Sequence, residues 1–153
     1  MAVSFSAPDL TQHPPRSLRV RLGGYVMLPR ILDKARAAAA GKLGEYRYTG
    51  TGHDRHFFAF TGLDHEAFKR QAATGASDSE MLAWIQTNAK HIRTQWEIEQ
   101  WSHYYLNRTP DSDAETWSEF GEKVAQFSAV REDIRTWFDL LDLDDYCSFG
   151  GKA

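Results

Sequence analysis

At 153 residues the chain fits one domain, of a size that buries about 68–70% of the surface its unfolded form would expose, so stability requires neither disulfide nor metal. Its 42% hydrophobic, 13% aromatic and 25% charged residues are those of a globular protein and exclude extensive disorder. The lone Cys147 cannot close an internal disulfide, no apolar run approaches the roughly 20 residues that span a bilayer, and the start MAVSFSAPDL lacks the features of a signal peptide. A cytoplasmic setting without membrane association is expected.

The net charge of −3 is unevenly spread. Residues 1–56 carry nine Lys or Arg against four Asp or Glu, whereas residues 57–153 carry nine against seventeen. Packing of the two parts against each other would neutralise both; an anionic partner for the first part is the other reading.

Residues 1–15 end in Pro14 and Pro15 and are expected to form an extended arm, because proline removes a backbone donor and biases its predecessor away from helix. A single helical domain over 16–146 and a tail over 147–153 would follow. Gly23 and Gly24 mark a turn. Pro29 suits the first turn of a helix that Gly41 can end in a left-handed cap. The alternating EYRYT, Glu45–Thr49, is the best strand candidate, and short helices are expected over Asp54–Thr61, Asp64–Ala73 and Thr136–Leu143. Ser77 with Glu80, Thr94 with Glu97, and Ser112 with Glu115 each fit the capping box that opens a helix. Apolar residues at helical spacing place Ile31, Leu32, Ala35, Trp101, Trp117 and Phe120 in the core. The fold class is therefore mainly α: one compact multi-helix domain with at most a short strand or hairpin after the first long helix.

Winding the first long helix at about 100° per residue puts Arg30, Asp33, Lys34 and Ala37 on the face away from the apolar one. A solvated face accounts for them. A phosphate or carboxylate would use the same geometry, through a forked guanidinium contact and a point-charge ammonium. The segment TGTGHDRH, Thr49–His56, is not a dinucleotide turn, since Arg55 stands where the third glycine would be. It leaves a looser anion site with His53 and Arg55 at a helix start. His53 and His56 are three apart, but a zinc site needs a further ligand and no paired C-x-x-C or H-E-x-x-H occurs, so neither metal nor cofactor is expected.

Pro15-Arg16-Ser17, Leu22-Gly23-Gly24-Tyr25, Arg30 with Asp33-Lys34 and Arg36-Ala37, Gly41, Leu43-Gly44-Glu45-Tyr46 and Tyr48 resemble the signature of a bacterial domain-of-unknown-function family, number 5069. Thr136-Trp137 and Asp139-Leu140-Leu141-Asp142 resemble its closing segment. Where that family often has a Cys-Pro-Leu-Asp turn, Thr49–Asp54 carries no cysteine. The resemblance implies a single-domain bacterial protein and brings no activity.

With no nucleophile, metal or cofactor constellation, the leading reading is a non-enzymatic binding or accessory domain, which a protein partner would favour, whereas an anionic small molecule would favour the alternative. The alternative is a small enzyme or sensor that holds an anionic metabolite through Arg30, Lys34 and Arg55, with Asp33 or Glu45 as general base and Tyr46 or Tyr48 as donors. Nucleic-acid binding is not expected at a pI near 6.0, although Arg16, Arg19, Arg21 and Arg30 form a local basic stripe. The candidate ligand-binding set is Arg30, Asp33, Lys34, Glu45, Tyr46, Tyr48, His53 and Arg55.

Overall fold

In a computed structural model, which describes residues 7–50, 52–111 and 114–153, the chain turns first through a short antiparallel hairpin, β1 (Arg21–Leu22) and β2 (Tyr25–Val26). Gly23 and Gly24 both adopt positive φ, 59° and 85°, as a tight hairpin turn requires and glycine alone permits without strain. Seven helices follow among the described residues: α1 (Leu28–Ala39), α2 (Gly52–Thr61), α3 (His65–Ala72), α4 (Asp78–Asn88), α5 (Gln95–Asn107), α6 (Ala114–Phe127) and α7 (Trp137–Ser148).

The mainly helical class is as expected, but the hairpin precedes the first long helix. Glu45–Thr49 is irregular. Gly44 turns the chain at φ 61°, Thr49 has φ 59°, and the alternating side chains point to separate partners: Tyr46 to Asp145 and Tyr48 to the carbonyl of His65. A strand is stabilised by its neighbour, and none of the described strands lies beside this one.

Local signals locate most helix ends. Gly41 at φ 68° closes α1, with its N–H on the carbonyl of Ala38 and that of Lys42 on Ala37. Capping boxes open α4 and α5 at Ser77/Glu80 and Thr94/Glu97, and a further one, Thr136/Asp139, opens α7. The expected box at Ser112 lies outside the described residues.

The core gathers Val26, Met27, Leu28, Ile31, Leu32, Phe57, Phe68, Met81, Ile85 and Phe138 around α1. Leu10 joins the buried residues through a backbone hydrogen bond to Lys42. Ile31, Leu32, Ala35 and Phe120 are buried as expected, and Trp101 is half-buried against Phe60 and Tyr105. Trp117 differs, at 54% exposed. Its helix α6 packs chiefly on α7, where Phe120 meets Trp137 edge to face, so Phe120 is buried, Val124 and Phe127 are half-buried, and Trp117 is left at the surface. No helix among the described residues is long and apolar enough to cross a membrane.

Candidate functional site

The charges of α1 are inside the protein. Arg30, Asp33 and Lys34 are 6%, 8% and 3% exposed, and Ala37 is fully buried, so the solvated face expected for them is absent. That face is covered by the N-terminal segment, α2 and α7, and each brings an opposite charge. Lys34 Nζ lies 2.6 Å from Asp54 Oδ2 and also donates to the carbonyl of Arg47. Arg30 forks onto Asp145 at 2.7 and 3.1 Å, and the Tyr46 hydroxyl donates to the same carboxylate. Asp33 accepts from the backbone N–H and the guanidinium of Arg16. Burial pulls the Lys34 ammonium below its ordinary range, and Asp54 offsets only part of that pull. Burial also lifts the Tyr46 phenol, reinforced by its bond to Asp145.

Beside these pairs opens a cleft of about 750 Å³, within the range of small-molecule sites. One wall is polar, formed by Arg30 and Lys34 of α1, Tyr46, and His53 and His56 of α2. The other is more apolar, formed by Phe127 of α6 and Trp137, Leu140 and Leu141 of α7, with Lys123 over the Trp137 ring and paired with Glu119 at 2.8 Å, and Asp144 of α7 also on the lining. Arg108, at the end of α5, sits between them; its carbonyl accepts from the N–H of Trp137 and its Nη1 donates to His56 Nε2 at 3.4 Å.

His53 and His56 stand one helical turn apart on α2, which directs both into the cleft. His53 packs its ring 5.8 Å from Phe138. Burial first, then the Arg108 charge, push its pKa down to about 4; the same two causes lower that of His56. At neutral pH the cleft therefore presents two uncharged imidazoles beside a guanidinium. Buried without a hydrogen-bond partner among the described residues are His53 Nε2 and Arg108 Nε. Among the described residues the Arg108 guanidinium is ion-paired with Asp111 at 3.8 Å, a loose and half-open contact.

Of the sequence-predicted residues, Arg30, Lys34, Glu45, Tyr46 and His53 line this cleft. Asp33 faces a second depression with Arg16, Arg36 and Asp78, Tyr48 packs on Phe58 and His65, and Arg55 is exposed on α2 away from the cleft. The general-base and donor roles considered for Asp33 and Tyr48 have no common site with Arg30. Sequence reasoning missed Arg108, Lys123 and Trp137 as lining residues, and no local pattern marks them. Among the described residues no group of three or more His, Cys, Asp or Glu is placed to hold a metal ion. Arg16, Arg19 and Arg30 of the basic stripe are each tied to aspartates.

The family model of a domain of unknown function, DUF5069, matches residues 12–147. The chain belongs to this family. The match spans the hairpin and all seven helices up to the last turn of α7, so every residue of the cleft falls within the DUF5069 domain. The family description carries no activity, and no curated protein matches the chain.

Proposed function

We propose that this DUF5069 domain is a non-enzymatic binding domain whose ligand is an anionic small molecule taken into the cleft between α2 and α7. The observation that carries the reading is Arg108: a guanidinium in a cleft of metabolite size, beside two neutral imidazoles and, among the described residues, ion-paired only loosely, with Asp111 at 3.8 Å. A phosphate or carboxylate there would receive charge-assisted hydrogen bonds from Arg108 and neutral donors from the histidines. Arg30 and Lys34 are spoken for by Asp145 and Asp54; they support the wall and do not bind the ligand. The buried His53 Nε2 and Arg108 Nε add to this reading, since buried polar atoms are normally satisfied.

A melting screen of phosphorylated and carboxylated metabolites tests it. A ligand at a hundred times its Kd stabilises the folded state by about 2.7 kcal/mol, which raises Tm by roughly 5–11 °C in a domain of this size. Arg108→Gln should abolish the rise. A flat screen, or a rise that survives Arg108→Gln, would overturn the proposal.

A further inference from the structure

The cleft is larger than a bare anion needs and its two walls differ in chemistry, which bears on what the anion is attached to. Inorganic phosphate at Arg108 would leave the half-buried Phe127, Trp137 and Leu141 uncovered on the opposite wall. Those three come from two helices, and Trp137 is held by α6, through Phe120 at 5.0 Å edge to face and the Lys123 ammonium 5.7 Å from its ring centre. The backbone N–H of Trp137 donates to the carbonyl of Arg108, which ties the start of α7 to the end of α5, and both residues line the cleft. An acid group on Arg108 would therefore carry whatever is attached to it along the apolar wall.

Resting on the reading of the cleft as an anion site, we infer that the ligand is an amphipathic acid, a carboxylate or phosphate borne on an aromatic or similarly flat apolar body. The acid group meets Arg108 with His53 and His56, and the body lies between Trp137 and Phe127. Helix α6 is suited to the second task, because it buries only Phe120 on the rest of the protein while turning Lys123 and Phe127 to the cleft. Burial of a bicyclic ring supplies affinity that a bare anion cannot, discounted for the part left in solvent.

Titration calorimetry of the full chain with three probes tests the inference: 2-naphthoate, its uncharged counterpart 2-naphthamide, and inorganic phosphate. The expected result is one site for naphthoate, bound at least about thirtyfold more tightly than phosphate and at least about tenfold more tightly than naphthamide. Phe127→Ala should weaken naphthoate by about tenfold and leave phosphate unchanged, whereas Arg108→Gln should weaken both. Phe127→Leu provides a milder version that keeps the helix packing and should fall between. If phosphate and naphthoate bind alike and both depend on Arg108, the amphipathic inference is overturned and the anion site stands. If naphthamide binds as well as naphthoate and Arg108→Gln changes nothing, the anion site itself is overturned. Absence of binding by all three at millimolar concentration overturns both.

Discussion

Two depressions border α1, and they are built from similar residues to opposite effect. In the first, of about 560 Å³, Arg16 and Arg36 interlock with Asp33 and Asp78: Arg16 reaches Asp78 at 2.7 Å and Asp33 at 3.0 Å, and Arg36 reaches Asp78 at 3.0 Å. Every charge there has a counter-charge, and the guanidinium of Arg36 also donates to the carbonyl of Ala76. In the second, the inner pairs Lys34–Asp54 and Arg30–Asp145 are just as closed, but at the outer edge Arg108 meets neutral His56 at 3.4 Å and, among the described residues, an ion-pair partner only at 3.8 Å, Asp111. The lesson is that the presence of basic residues in a depression says little about binding; what matters is which of them the protein has already satisfied.

The sharpest way to break this comparison is Lys34→Met, which leaves Asp54 buried and without its cation. Such a change costs about 3–5 kcal/mol, read from denaturant unfolding, whereas Lys34→Met combined with Asp54→Leu should recover most of it. If Lys34→Met is silent in stability and instead removes ligand binding, the inner pair belongs to the site itself and not to its supporting wall.

His53 gives the next largest effect. An unfolded chain takes up the imidazole proton near 6.5, while the buried ring waits until about 4. Between those values the unfolded state holds more protons, so stability is full above pH 6.5 and is lost as pH falls toward 4, by roughly 3 kcal/mol in total. Chemical unfolding across that window should show the slope, and His53→Gln should flatten it. Arg108→Gln removes the neighbouring positive charge and should move the His53 titration upward, as followed by NMR.

Asp78→Asn probes the closed depression. It weakens two guanidinium contacts at a carboxylate about one-third exposed and should cost roughly 1–2 kcal/mol. No anion should be needed to see it. At the soft end of the molecule, Gly121 lies inside α6 with no atom within 4 Å of an added Cβ, so Gly121→Ala should stabilise by roughly 0.5–1 kcal/mol. The smallest expected effect belongs to Arg108→Gln on unliganded stability, within about 0.5 kcal/mol, although the same substitution should remove anion binding. A large loss of stability there would make the outer cleft structural as well.

Helix positions were legible because their signals are local. Ser77 with Glu80 and Thr94 with Glu97 satisfy backbone donors three residues away, and Gly41 caps α1 through bonds to Ala37 and Ala38, so no distant residue is consulted. Thr136 with Asp139 obeyed the same rule with the shorter acid. The hairpin was partly legible, in the glycine pair that turns it, whereas the alternation of Glu45–Thr49 misled because alternation reports polarity and not the existence of a neighbouring strand.

The site divides along the same line. That Arg30, Asp33 and Lys34 share one side of a helix follows from helical periodicity, and so does the pairing of His53 with His56. Whether that side faces water was decided by partners brought in by the fold: Asp54 from 20 residues away, Arg16 from 17, and Asp145 from 115. The arrival of Arg108 beside His56, 52 residues earlier, and of Trp137 across from both, left no trace in any local pattern. Periodicity reports which residues travel together on an element. Burial of a charge depends on whether its counter-charge is delivered to within hydrogen-bonding distance, and only tertiary packing, by closing those long separations, determines that.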